Sequence, residues 1–228
     1  VETIHQRLEL VAEEMRKEVV GKSSVYATAM SLVVESLSYE YLQGKSILND
    51  FLLDVGDQET VALVGRSGCG KSTLLHCIAG LLTPSSGTVA IDGNNVTLSK
   101  PHERGIGIMM QDQPLYEHLT VEQNIAFPLR ARGEKPLPVS GLIKQLQLDQ
   151  CAKNKVSKCS GGERRRVAFG RAVITNPKVL LLDEPFVSLN EELVELMKEF
   201  ISSTNATTLF VTHDQDEVES ISNRVIKM

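Results

Sequence analysis

The sequence predicts an α/β fold with a mainly parallel sheet, a smaller antiparallel β piece and a helical lobe. Three observations predict it. Apolar runs of strand length at Thr60 to Val64, Val179 to Leu182 and Thr208 to Val211 lack the polar alternation of a half-wet strand, as expected of strands covered on both faces. Segments with helical spacing separate them, the order that builds parallel sheets. A glycine-rich loop joins the first of these runs to a helical stretch, and a strand-loop-helix junction of that kind belongs to α/β domains.

Taken in order, Ile4, Leu8, Val11, Met15 and Val19 recur at three- and four-residue spacing. They predict an amphipathic helical extension over residues 1–30, ended by Gly21, that packs on the main body or docks on a partner. Five glutamates outnumber Arg7, Arg16 and Lys17 there, which disfavours a basic membrane anchor. The main domain then spans 31–228. The runs Ser31 to Leu37 and Thr88 to Ile91 alternate more and suit a separate antiparallel piece. Gly105 to Met110 is another strand. Between about 112 and 159 the strand signal fades, and Thr120-Val121-Glu122-Gln123 offers a capping box. That span is the helical lobe, with Pro128, Pro136 and Pro138 expected to cut it into short helices, the last from Val139 to Leu146.

Composition narrows the function classes. With 24 Lys+Arg against 29 Asp+Glu, the 228 residues carry a formal charge of -5, which disfavours a nucleic-acid-coating surface. No apolar run approaches the roughly 18 residues needed to cross a bilayer, so a membrane role would be peripheral. Cys69, Cys77, Cys151 and Cys159 form no C-x-x-C pair, which suits a reducing compartment and offers no metal-ligand spacing.

Gly65-Arg66-Ser67-Gly68-Cys69-Gly70-Lys71-Ser72 matches the eight-position phosphate-loop pattern. Its glycines let backbone N–H groups turn toward phosphate oxygens, and the following helix, from Ser72 and Thr73 onward, presents its positive dipole end to the same anion. Lys71 is the candidate cation. Ser72 is a candidate ligand for Mg2+, a hard ion that takes oxygen donors and bridges nucleotide phosphates. Val179-Leu180-Leu181-Leu182-Asp183-Glu184 then ends a buried strand in two carboxylates. Successive strand residues face opposite ways, so Asp183 is assigned to magnesium and Glu184 to deprotonating an attacking water.

Cys159-Ser160-Gly161-Gly162-Glu163, just before the acidic strand, resembles the Leu-Ser-Gly-Gly-Gln signature of the ATP-binding cassette (ABC) family. With the phosphate loop, it makes a resemblance that runs from about Leu32 to the C terminus and implies a phosphate-loop NTPase core of the RecA-like kind. By that resemblance Ser160, Gly161 and Gly162 cover the γ-phosphate of ATP held by an opposite subunit, so hydrolysis requires a homodimer or a paired ABC subunit. The physics agrees, since a Ser-capped helix start binds anions. Gln111 resembles the Q-loop glutamine that senses magnesium and the attacking water, and His213 in Val211-Thr212-His213-Asp214 resembles the switch histidine. Tyr41 resembles the aromatic that stacks on adenine, with Tyr39 as its rival.

Departures from the family pattern are Cys159 for Leu, Glu163 for Gln, and Asn190 where the D-loop ends in Asp. The first two leave the phosphate-facing residues intact. Asn190 loses a charge, which implies weaker communication between ATP sites. Arg164, Arg165 and Arg166 are expected to form a solvated helix face with local salt bridges.

Leu115 to Phe127 is similar to the segment that follows the Q-loop in importer subunits for sugars, osmolytes or inorganic anions. The resemblance thus implies an ATPase subunit on the cytoplasmic side of a membrane, working with separate transmembrane permease subunits and without nucleic acid. The alternative is a non-transport cassette protein using ATP as a conformational clamp on a ribosome, nucleic acid or regulatory partner. Importer subunits often carry a further C-terminal domain, whereas this sequence stops at Met228.

Overall fold

The computed structural model describes residues 30–41, 44–112, 114–133 and 139–228. The helix expected over the first twenty residues lies outside them, as does the rest of the expected extension apart from Met30.

Five strands form a parallel sheet in the order β6 (Ile106–Met109), β7 (Val179–Asp183), β8 (Thr207–Val211), β3 (Thr60–Val64) and β9 (Arg224–Lys227). Four more form an antiparallel sheet in the order β2 (Lys45–Gly56), β1 (Met30–Tyr41), β4 (Ser86–Ile91) and β5 (Asn94–Asn95). Alternation of side chains explains why the central strands read as continuous apolar runs. Val179 and Leu181 of β7 enter one hydrophobic cluster with the antiparallel sheet and helix α1 (Lys71–Ala79). Leu180 and Leu182 enter the other, with α2 (Val121–Ala131), α3 (Val139–Gln145) and α4 (Gly161–Val173). Helices α5 (Glu191–Ser203) and α6 (Gln215–Ile221) complete that layer.

Strands β2, β5 and β9 were absent from the sequence expectation, and β1 is longer than expected. Strand β2 contains Asn49-Asp50, with Asp50 at φ 49°, so its middle reads as a turn. Edge strand β9 alternates half-buried and exposed residues over four positions, too short a pattern to stand out from the preceding helix.

The expected capping box starts α2. Gln123 N–H donates to Thr120 Oγ1 at 3.2 Å and Thr120 N–H to Gln123 Oε1 at 3.0 Å. Two further N–H groups of the first turn, on Val121 and Glu122, bond to the carbonyls of Asn154 and Ala152 at 3.0 Å each, so the helix start is satisfied before it is buried. Pro128, expected to break the helix, lies inside it instead. Packing outweighs the lost hydrogen bond: Val121, Ile125, Ala126 and Leu129 are buried along one face. Buried Asn124 adds a polar staple, accepting from Tyr116 N–H at 2.9 Å and donating to Tyr116 O at 3.1 Å and Thr120 O at 3.0 Å.

Buried Arg104 ties the end of α1 to the segment that follows the antiparallel sheet. Its guanidinium donates to Cys77 O (3.1 Å) and Ile78 O (2.8 Å) at the C-terminal end of α1, and to Thr97 O (2.7 Å) and Ser99 O (3.0 Å) beyond β5. Cationic donors at a helix C terminus satisfy its last carbonyls and oppose its dipole. On the other side of the sheet α4 packs close on β6, because Gly107 has no side chain: a Cβ there would collide with the Ala172 carbonyl oxygen.

Candidate functional site

The phosphate loop connects β3 to α1 as the sequence predicts. Gly70, at φ 109°, is the N-cap of α1, a conformation open to glycine, and a Cβ there would stand 3.0 Å from Ile47 Cγ2 of β2. The loop is therefore wedged against the antiparallel sheet. Lys71 Nζ donates to Gly65 O at 2.8 Å and Arg66 O at 3.0 Å, which holds the ammonium over the loop.

Opposite stands the end of β7. Asp183 is 4% exposed, and burial raises its pKa above the usual carboxylate range, partly opposed by a hydrogen bond from Ser72. These two hard oxygen donors, from α1 and β7, suit Mg2+. Glu184 follows at φ 48°, pinned on its backbone by N–H donation to Val211 O at 3.0 Å and by Arg165 Nη1 donation to its carbonyl. Its carboxylate receives Gln111 Nε2 at 3.2 Å and lies 3.4 Å from His213 Nδ1. The Gln111 amide oxygen is left as a third hard donor.

These groups share one cavity of about 400 Å³, with Gly65, Ser67, Gly68, Gly70 and Thr73 in its wall and Tyr41 at its rim beside Ile47. Tyr41 is 49% exposed. Tyr39 lies against it edge-on, with centroids 5.1 Å apart, and packs on the core instead. Of the two tyrosines, Tyr41 alone lines the cavity. Arg66 and Cys69 belong to the same loop but are not in that wall.

Ser160, Gly161 and Gly162 open α4 and do not line this cavity. Ser160 Oγ accepts Glu163 N–H at 3.3 Å, and Glu163 Oε2 accepts Ser160 N–H at 2.7 Å. Glu163 thus completes a capping box, and the Ser160 N–H holds its carboxyl below the usual range.

The three arginines correct the expectation of a uniformly solvated face. Arg164 behaves as expected, pairing with Glu117 at 2.5 Å. Arg165 turns inward, 7% exposed, to the carbonyl of Glu184. Nothing in the residue pattern distinguished it from its neighbours except its position on the helix face shared with buried Phe169 and Ala172. Asn190 caps α5, accepting Leu193 N–H at 3.0 Å, a task asparagine performs as well as aspartate.

The model of the ABC transporter family matches residues 48–187, a span that includes the loop, Gln111, the Ser160 helix start and the acidic strand end. The chain belongs to the ABC transporter family. The cassette is 38% identical over 211 residues to the sulfate/thiosulfate import ATP-binding protein CysA of Pseudomonas aeruginosa, covering 87% of this chain and 64% of that protein. It is 40% identical over 205 residues to the trehalose import ATP-binding protein SugC of Mycobacterium tuberculosis, covering 86% and 52%. The chain therefore spans between about half and two thirds of the length of these curated relatives. Among solved structures, the dimeric bacterial ABC transporter cassette MJ0796 superposes with a TM-score of 0.78 at 27% identity, covering 86% of this chain and 94% of that one. The same protein has also been solved in a dimeric post-hydrolysis state bound to ADP and Pi. Among the described residues no helix is long and apolar enough to cross a membrane.

Proposed function

We propose that the cassette hydrolyses ATP to ADP and phosphate as the nucleotide-binding subunit of an importer, peripheral to the cytoplasmic face of a membrane and coupled to separate permease subunits. The observation that carries this reading is the convergence of Lys71, Ser72, Gln111, Asp183, Glu184 and His213 from separate segments onto one cavity. Tyr41 offers a π face to adenine at its rim. The loop N–H groups, the α1 dipole and Lys71 hold the phosphates. Ser72, Asp183 and Gln111 would hold Mg2+, which when bound offsets phosphate charge. Glu184 takes a proton from the attacking water, with Gln111 and His213 orienting both. The backbone of Glu184, tied to Val211 and Arg165, keeps that carboxylate in place.

Ser160, Gly161 and Gly162 lie outside the cavity of their own chain, which supports a head-to-tail pair in which each copy's helix start meets the other's triphosphate. The dimeric MJ0796 cassette supports the same arrangement. A second concavity of about 780 Å³, with Met110, Pro114, Tyr116, Phe127 and Arg171 in its wall, adjoins Gln111 in the chain and supports permease docking there. The importer names of CysA and SugC favour transport over a clamp on nucleic acid or ribosomes.

Turnover per chain measured against protein concentration tests the proposal. It should rise as dimers form and fall away on dilution, and Ser160→Ala should depress it throughout. Turnover independent of concentration and of Ser160 would overturn the paired site. Co-purification of a multi-span membrane protein, rather than nucleic acid or ribosomal subunits, tests the transport assignment.

A further inference from the structure

Beside the Ser160 helix start, three side chains from different segments converge. Cys151 ends a single 3-10 turn, Asp149–Cys151; Cys159 follows another, Val156–Lys158; and Glu163 stands in the first turn of α4. One donor atom from each lies within 4.8 Å of the others. Cys151 is buried, and the other two are half-buried. Outside the cluster the thiols make only weak carbonyl contacts, Cys151 Sγ 3.4 Å from Leu148 O and Cys159 Sγ 3.8 Å from Lys155 O; within it the Cys151 thiol hydrogen-bonds Cys159 and Glu163. Glu163 Oε2 accepts the Ser160 N–H at 2.7 Å, and the Glu163 carboxylate also takes a hydrogen bond from the Cys151 thiol, so the proposed donors already face one another.

We propose that Cys151, Cys159 and Glu163 form a binding site for a thiophilic divalent cation of the Zn2+ class, with water as the fourth ligand. Two sulfurs and a carboxylate oxygen are a donor set that this ion favours over hard cations. Tetrahedral bonds of about 2.3 Å to sulfur and about 2.0 Å to oxygen place donors roughly 3.5 Å apart, so the three atoms need draw together by no more than about an ångström. The partial exposure of Cys159 and Glu163 gives their side chains room to do so. Two thiolates and a carboxylate carry one negative charge more than the ion balances, and Arg164 acts on Cys159 and Arg166 on Glu163 to offset it. Burial pushes the Cys151 thiol up to about 12 and Cys159 upward as well; the pair is not a reactive thiolate couple, and the cation must displace the protons.

An ion there joins the segment from Asp149 to Cys159 to the first turn of α4 and braces the residues on either side of Ser160. Binding is read without reference to ATP, so its failure is separate from failure of the proposed hydrolysis. The metal-free full chain should bind one equivalent of Cd2+ with an ultraviolet sulfur-to-cadmium charge-transfer band. Cys151→Ala and Cys159→Ala should each abolish the band, and Glu163→Gln should weaken binding at least tenfold. In the wild-type chain, Zn2+ should slow iodoacetamide alkylation of Cys159, followed at alkaline pH until the metal-free chain is fully labelled and mapped by mass spectrometry, while half-buried Cys69 continues to react. The absence of a band, a band that survives removal of both cysteines, undiminished binding by Glu163→Gln, or equal protection of Cys69 would overturn the site.

Discussion

Gln111 Nε2 donates to Glu184 Oε2 at 3.2 Å, linking the second residue after β6 to the residue after β7. The two strands pair in parallel from Ile106 with Val179 to Met109 with Leu182, so both chain segments leave the sheet at the same edge. Ligands in open parallel sheets bind at that carboxyl edge. A displacement of Gln111 by the helical lobe therefore reaches the proposed general base through a single hydrogen bond.

Glu184→Gln keeps the shape and the Gln111 contact but removes the proton acceptor. ATP turnover should fall by roughly 100-fold or more, about 2.7 kcal/mol of barrier, while ATP binding survives and a closed dimer accumulates. Steady-state turnover, nucleotide affinity and sizing of the mutant with ATP check all three.

Arg165→Met removes the buried donor to the Glu184 carbonyl and leaves that oxygen unpaired. The expected loss of stability is about 1–3 kcal/mol, read by denaturant unfolding. Turnover should fall with it while ATP affinity is retained, because Arg165 touches the backbone of Glu184 and not the phosphate loop.

Asp183 has a folded-state pKa raised chiefly by burial, so the folded chain binds the proton more tightly than the unfolded one. Stability then decreases as pH rises from the unfolded pKa through the folded pKa, and the cost is fully present above that window. In the absence of nucleotide, Asp183→Asn should raise the melting temperature at neutral pH, and the gain should shrink on acidification through the window. A gain that grows on acidification would reverse the assigned sign. The same variant should lose magnesium-dependent hydrolysis.

Ser160→Ala and Asn190→Asp separate capping from phosphate contact. Losing the Ser160 cap should cost about 1 kcal/mol together with turnover. Asn190→Asp retains a capping acceptor at the start of α5, so stability and ATP affinity should hold and turnover be preserved or raised. A collapse of turnover in that variant would contradict the role given to the D-loop position.

Much of the site was legible because its parts are contiguous. The loop from Gly65 to Ser72 and the helix start at Ser160 each carry their chemistry within a few neighbouring residues, and local conformation follows from local composition. Pro128 misled for the opposite reason: its local cost is real, but the burial of Ile125 and Leu129 and the Asn124 staple are distant partners that a local rule does not contain. Strand β2 was hidden in the same way, since its pairing with β1 carries it past Asp50.

The order of residues alone determined the class of fold, the phosphate loop, the acidic strand end and the capped helix starts, all of which depend on short-range sterics and on which positions avoid water. Only the tertiary structure decided that Gln111 and His213 meet at Glu184, that Arg165 turns inward while Arg164 stays at the surface, that Tyr41 rather than Tyr39 rims the cavity, and that Cys151 and Cys159 meet across seven intervening residues. Those outcomes rest on strand register and helix packing, which are set jointly by two hydrophobic clusters sharing one sheet, and no window of neighbouring residues contains both.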